Sequence, residues 1–324
     1  MFHLIFIGRR LLHAIPLLFA ITIFSFTILH VSRGDFADVM TGESGTADVD
    51  VMRELRHSLG LDRPAVSQLI DYVTRMFRLD LGSSFRYNMP VFDVIYQRIF
   101  PTLLLTTTSA VISLTLGVAF GVVAAVKHGS MIDDAISVVS LIAYATPVFW
   151  TGLLLIIVFS ARLGWLPTSG MTDVARETQG FSYAIDVLRH LILPSLTLSS
   201  VYFAIYTRLT RASMLEVAGL DHVRTAYAKG LPPNKVLIRH VLRNALLPVV
   251  TMVGVQAGAL LGGAVLVETV FAWPGVGRLT YDAVFQRDYP LLTGILISTS
   301  FLVVAVNIVT DLIYSILDPR ISIK

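Results

Sequence analysis

The sequence contains no cysteine among its 324 residues. Disulfide frameworks, zinc–thiolate sites and catalysis by a cysteine nucleophile are therefore excluded. Charged residues are also scarce, at 15% of the chain, where a soluble domain has about 25%. Hydrophobic residues make up 55% and the formal net charge is only +3, which argues against nucleic acid as a partner. The composition indicates a protein that lies in a lipid bilayer.

The sequence also lacks the residues that would supply energy for active transport. Its lysines are Lys127, Lys229, Lys235 and Lys324, and none lies in the Gly-Lys-Ser/Thr context of a P-loop. The chain is therefore expected to bind no nucleotide through a P-loop. The centres of its apolar runs are nearly free of ionisable residues, which argues against a proton- or sodium-coupled carrier.

Long apolar runs are abundant, and a membrane-spanning helix needs about 20 mostly apolar residues. Six runs qualify: Leu11–Val31, Thr102–Val126, Ala135–Ser160, Leu191–Thr207, Asn244–Val267 and Pro290–Leu317. They predict an all-α membrane protein with six transmembrane helices. Pro147 lies inside the third run, and a kink is expected there because proline removes a backbone hydrogen bond.

The flanks of these runs predict the orientation. Lys and Arg cluster before the first run, after the second, between the fourth and fifth, and after the sixth. With six spans all these clusters fall on one side, which the positive-inside rule makes the cytoplasm. Both termini are then cytoplasmic, and residues 318–324 form a short tail.

The loop after the first helix is long and exported in this topology. Residues 32–101 contain two helical patterns, Val51–Leu59 and Pro64–Leu79, separated by a glycine and a proline that suit a helix end and a helix start. We expect a small helical excursion here. The rest of the chain to residue 317 forms one transmembrane domain with five helices.

Small residues recur at four-residue spacing in two of the runs. They are Gly117 and Gly121 in the second run and Gly254, Gly258 and Gly262 in the fifth. Such spacing lets another helix approach closely. Two interpretations stay open: the glycines pack helices, or they line a pathway together with Gln256.

The stretch Arg224–Pro248, within the basic loop 208–248, carries five Lys or Arg residues and no acid. Asp221 is a suitable N-cap for a short helix that Gly230 ends, and Asn234 is a suitable cap for a second helix from Lys235. This geometry fits either a docking site for a cytoplasmic partner or an ordinary basic loop. The candidate docking residues are Arg224, Thr225, Ala226, Tyr227, Lys229, Gly230 and Leu231.

Thr-Ala-x-Ala-Lys-Gly at Thr225–Gly230, followed by His240, Asn244 and Leu247-Pro248, resembles the EAA loop of type I ABC-importer permeases. The chain as a whole is similar to the B-type subunit of the dipeptide/oligopeptide/nickel permease family. Further shared motifs are Gly8–Leu12, Gly60–Pro64, Asp80–Ser84, Gly164–Gly170, Trp273–Gly277, Arg287–Pro290 and Leu317–Arg320. Arg224 and Thr225 replace the Glu and first Ala of the general motif, and Leu247-Pro248 comes late, as is typical of the peptide subfamily.

The resemblance implies a location and a set of partners. It implies a multi-pass protein of the bacterial inner membrane whose helix around Arg224–Gly230 couples to a separate ATPase. The implied partners are a second six-helix permease, related but different, one or two ABC ATPase subunits that hold ATP and magnesium, and an exported solute-binding protein. The chain itself would be no enzyme and would hold no metal.

Other functions stay open on the sequence alone. The same architecture imports nickel, glycosides or opine-like solutes, and a secondary carrier is a more remote alternative. Gly42-Glu43-Ser44-Gly45 looks like the nucleophile turn of an intramembrane hydrolase, but such a serine needs a histidine base and a helix start. A flexible loop turn is the simpler interpretation.

Overall fold

The structure is a computed structural model, and it describes residues 63–77, 80–84, 86–173 and 179–317 with a few positions between 16 and 27. The predicted first transmembrane helix falls mostly outside this part, and the predicted helix Val51–Leu59 and the Ser44 turn lie wholly outside it. The predicted helix Pro64–Leu79 is confirmed, because α1 covers Ala65–Phe77.

Beyond α1 the described chain is mostly helical, and it contains one small hairpin of β1 (Ser83–Ser84) and β2 (Met89–Pro90). The further helices are α2 (Val91–Val126), α3 (Met131–Ala145), α4 (Val148–Leu155), α5 (Phe181–Ala218), α6 (Asp221–Ala228), α7 (Pro233–Val236), α8 (Arg243–Val270), α9 (Val276–Phe285) and α10 (Tyr289–Leu317). Two π-helical segments, Ile156–Arg162 and Leu237–Leu242, extend α4 and precede α8.

Within the described residues, four helices are long and apolar enough to cross a membrane. They are Val91–Val126, Phe181–Ala218, Pro233–Gln256 and Tyr289–Thr310. A fifth crossing results if α3 and the helix Val148–Arg162 are counted as one broken span. The prediction of six transmembrane helices depends in addition on the run Leu11–Val31.

The kink predicted at Pro147 is confirmed and is larger than a bend within one helix. The two helices on either side of the break differ in direction by 107°. Thr146 is extended, with φ −82° and ψ 130°, because the ring of a following proline disfavours the helical conformation. The run Ala135–Ser160 is therefore two helices.

The described chain divides into two compact units, of which the first is formed by the described residues within 1–99 and 279–308. Its core contains Val91, Ile95, Leu291 and Ile295, all almost fully buried. The buried carboxylate of Asp288 accepts a hydrogen bond from the Ser84 hydroxyl and so holds the hairpin.

The second unit is formed by the described residues within 100–278 and 309–324, and it contains α5, α8 and most of α2. Its core includes Leu105, Leu193, Leu198, Val267 and Phe271. The helix α5 has 38 residues, so it is about 57 Å long, whereas the hydrocarbon core of a bilayer is about 30 Å thick. The predicted span Leu191–Thr207 is the middle of this helix, and its two ends position the features described below.

Candidate functional site

The short helix α6 is the centre of the basic segment. It covers Asp221–Ala228, and the carbonyl oxygen of Leu220 accepts from the backbone N–H groups of Val223 and Arg224. The N-cap is therefore Leu220, and the prediction that Asp221 caps the helix was wrong by one residue. Asp221 lies in the first turn, where a carboxylate interacts favourably with the helix dipole.

The end of α6 matches the prediction made from Gly230. Gly230 adopts φ +76°, the left-handed conformation that glycine tolerates best. The next helix, α7, begins at Pro233 with Pro232 as its N-cap. Asn234 is thus inside the helix, and the prediction of a start at Lys235 was wrong because proline is favourable in the first helical turn.

One face of α6 is seated on its own chain. Val223 and Ala226 are 1% and 4% exposed and pack in a cluster with Met214 of α5 and with Val236, Val241 and Ala245. Val122 and Ala125 at the end of α2 contact the same cluster. The helix is therefore held by the ends of α2, α5 and α8 rather than by a flexible loop.

The opposite face of α6 is open to solvent. Arg224, Thr225, Tyr227, Lys229 and Gly230 are exposed, with Tyr227 at 51%. Arg224 lies 3.8 Å from the carboxylate of Asp221, a distance that leaves its guanidinium largely available. Ala226 and Leu231, which were expected on the docking surface, pack inward instead. Their small or apolar side chains allow α6 to sit closely on the cluster.

Hydrogen bonds add to this seating. The side-chain amide of Asn244, at the start of α8, donates to the carbonyl oxygen of His240 over 2.8 Å. The ring of His222 lies 3.4 Å from both the Asn244 amide nitrogen and the His240 carbonyl oxygen. His240 and Asn244, two positions of the motif, thus connect α6 with the start of α8.

An ion pair between a half-buried arginine and a buried carboxylate lies near this site and was not predicted. Arg211 of α5 binds the carboxylate of Asp133 at the start of α3 through both carboxylate oxygens. Asp133 also accepts from the backbone N–H of Gly129 over 3.1 Å and lies 3.1 Å from the His128 ring. In the sequence, Arg211 is one of the basic residues between the fourth and fifth apolar runs, and no local pattern indicates its partner.

The glycines of α2 pack helices. A Cβ atom on Gly117 would lie 2.6 Å from the Cβ of Tyr206, and one on Gly121 would lie 2.5 Å from the Cβ of Thr210. The backbones of α2 and α5 therefore approach closely at both positions, as a glycine pair permits.

The glycines of α8 have other surroundings. Gly262 is exposed, and no described atom lies within 4 Å of a Cβ atom built there. Gly254, Gln256 and Gly258 are half-buried. The glycines of α2 therefore lie against α5, whereas Gly262 of α8 lies against no described residue.

A second unpredicted cluster lies where α8 ends. The Glu268 carboxylate is fully buried and accepts from the Thr102 hydroxyl over 2.7 Å and from the Arg278 backbone N–H over 3.0 Å. Trp273, also fully buried, donates its indole N–H to the carbonyl oxygen of Pro101 over 2.9 Å. The sequence feature that could have indicated this cluster is the single acid Glu268 at the end of an apolar run, followed by Gly275 and Gly277.

Comparisons with known proteins identify the family of the chain. Residues 117–323 match the family described as binding-protein-dependent transport system inner membrane component, and residues 1–106 match its N-terminal model. A di/tripeptide transport system permease protein DppB of Pseudomonas aeruginosa is 41% identical over 98% of both chains. An oligopeptide transport system permease protein AppB of Bacillus subtilis is 41% identical over 98% of this chain and 99% of its own.

Solved structures of the MetNI methionine ABC transporter in inward facing conformations resemble the fold. One gives a TM-score of 0.55 at 18% identity and covers 71% of this chain and 98% of its own. This likeness concerns the fold alone, whereas the two family models between them match most of the sequence. The chain belongs to the family of inner membrane components of binding-protein-dependent transport systems.

Proposed function

We propose that this chain is the permease subunit of an ATP-driven importer for di- or oligopeptides. The names of the relatives support peptides as the solute. The observation that carries the proposal is α6, because one face is seated on the membrane helices while the other is exposed. A helix held in this way transmits force between a docked partner and the membrane domain.

The partner on α6 is a separate ABC ATPase that holds ATP and magnesium, because the sequence of this chain has no P-loop. The exposed Tyr227 and the cations Arg224 and Lys229 form its docking surface. The basic flanks support a cytoplasmic position for α6 and both termini.

Movement of α6 passes to the transport pathway through the cluster beneath it. Val223 and Ala226 belong to one cluster with residues from the end of α5 and the start of α8, and the end of α2 packs against that cluster. When the ATPases close on ATP, α6 is drawn with them and these helix ends follow. A second permease subunit, related but different, completes the pathway, and an exported solute-binding protein delivers the peptide.

The proposal is tested by gentle extraction of the tagged chain and identification of the proteins that co-purify. An ATPase and a second six-span permease are expected. The purified complex in vesicles should then take up a labelled dipeptide only with ATP and the binding protein. Recovery of this chain alone, with uptake that needs no ATP, would contradict the proposal and favour a secondary carrier.

A further inference from the structure

A cavity of about 730 Å³ lies at the end of α5 opposite to α6. One wall is the strap Gly164–Asp173, and the other is the first part of α5 with Asp186, Arg189 and His190. Binding sites for small molecules have volumes of roughly 300–1,000 Å³. The cavity is thus large enough for a ligand of a few residues.

The strap is fixed at three points. The backbone N–H of Trp165 donates to the carbonyl oxygen of Phe159 over 2.9 Å, and that of Gly170 donates to the carbonyl oxygen of Phe271 over 2.8 Å. The backbone N–H of Asp173 donates to the Asp186 carboxylate over 2.7 Å. The wall is therefore formed before any ligand arrives, which reduces the entropy lost on binding.

Arg189 is the cation of the cavity. It is exposed and forms no hydrogen bond or ion pair with any residue that the structure describes. The Asp186 carboxylate, by contrast, already accepts from Asp173 and lies 3.3 Å from His190 Nδ1. A free guanidinium is well suited to bind a carboxylate through two parallel hydrogen bonds.

His190 supplies a second polar atom. The residue is only 8% exposed, and its Nδ1 lies 2.9 Å from the carbonyl oxygen of Asp186. Nδ1 therefore carries a hydrogen, and in the neutral ring Nε2 is an acceptor. Within the described part of the chain Nε2 has no hydrogen-bond partner, and the protein does not enclose this atom fully. A ligand in the cavity can therefore reach it.

The cavity thus combines a cation, acceptors and an apolar wall of Trp165, Leu166 and Pro167. We propose that it binds a short zwitterionic peptide, with Arg189 on the C-terminal carboxylate and the Asp186–His190 side near the ammonium group. This inference rests on the proposed function, and it places a peptide subsite on the exported side of the permease, away from α6. A purely anionic ligand fits less well, because Asp173 and Asp186 lie in the same cavity.

The test measures binding of dialanine to the purified complex in nanodiscs without the binding protein. Titration calorimetry should show saturable binding, weakened at least tenfold for dialanine C-terminal amide. Arg189→Gln should weaken dialanine binding at least tenfold and bring the acid and the amide close together. Arg162→Gln is the matched control, an exposed arginine outside the cavity, and should bind like the unmodified protein.

Three results would overturn the subsite: no saturable dialanine binding, equal affinity for the acid and the amide, or normal binding by Arg189→Gln. If Arg189→Gln instead weakens only the association with the binding protein, the cavity is a protein-docking contact. Co-purification of the ATPase does not depend on Arg189, so failure of the subsite and failure of the importer proposal are distinguishable.

Discussion

Arg211 holds the buried carboxylate of Asp133 at two points, with Nε 2.6 Å from Oδ1 and Nη2 2.8 Å from Oδ2. The pair joins α5 to the first turn of α3 across 78 positions of sequence. Since α6 follows directly after α5, the contact holds the end of the helix from which the proposed docking site continues.

Arg211→Met should destabilise the protein strongly, because it leaves the Asp133 carboxylate buried without its guanidinium. Loss of the cation leaves an enclosed carboxylate without a compensating charge, which is unfavourable. Thermal unfolding in detergent should show a clear fall in midpoint. Arg208→Met is the control, since Arg208 is exposed on the same helix; a surface change there should alter stability by no more than about 0.5 kcal/mol. Equal midpoints for the two variants would contradict a stabilising role of the Arg211–Asp133 ion pair.

Ala226→Glu should lower the yield of folded protein, because the new carboxylate would be buried against Met214 and Val236. Ala228→Glu places the same side chain on the exposed face of the same helix. Its folded yield, measured by size-exclusion chromatography, should match that of the unmodified protein. If both variants fold equally well, α6 is not seated as described.

Tyr227→Ala should weaken docking of the ATPase without affecting folding. An exposed aromatic at the centre of an interface often contributes 2 kcal/mol or more, in order-of-magnitude terms, so co-purified ATPase should fall at least tenfold. Tyr183→Ala is the control, an exposed tyrosine at the other end of α5. Unchanged ATPase recovery with Tyr227→Ala would remove Tyr227 from the docking surface.

Gly121→Ala should destabilise the contact between α2 and α5, because the added Cβ would lie 2.8 Å from the carbonyl oxygen of Thr207. Overpacking of this kind costs about 1–3 kcal/mol. Gly262→Ala adds the same methyl group in open space and should be neutral or stabilising, by up to about 1 kcal/mol, since alanine favours the helix. Thermal unfolding of both variants checks the difference, and the reverse order would contradict the packing.

Gly275→Ala should reduce the folded yield, because a Cβ atom at this position would overlap the buried carboxylate of Glu268. Gly263→Ala is the matched control, since the nearest side-chain atom, in Leu198, would lie 3.5 Å away at ordinary contact distance. Fluorescence-detected chromatography of the two variants measures the yields. A normal yield for Gly275→Ala would show that the Glu268 cluster adapts easily.

Local features of the fold followed from the sequence. The break at Pro147, the helix after Pro64 and the left-handed turn at Gly230 each depend on one residue whose backbone preference is strong. The caps of α6 and α7 were misplaced by one or two residues, because backbone carbonyls and prolines, rather than the side chains of Asp221 and Asn234, begin these helices.

Features that depend on which helix faces meet did not follow from the sequence. Arg211 and Asp133 are far apart along the chain, and nothing local shows that they pair. Ala226 was expected on the docking surface, whereas its small side chain packs against the cluster formed with α5 and α8. Arg189 and His190 belong to a cavity only because the strap folds back on α5.

Cross-linking at α6 tests the central claim, docking of an ATPase on this helix, most directly. The chain has no cysteine, so Thr225→Cys introduces one thiol on the exposed face beside Tyr227, and Phe181→Cys introduces one at an 82% exposed position at the opposite end of α5. If an ATPase docks on α6, a short thiol–amine cross-linker should join Thr225→Cys to the ATPase, more efficiently with bound ATP, and should leave Phe181→Cys unlinked to it. Absence of the link at Thr225→Cys in an intact complex, or an equal yield at Phe181→Cys, would contradict the account.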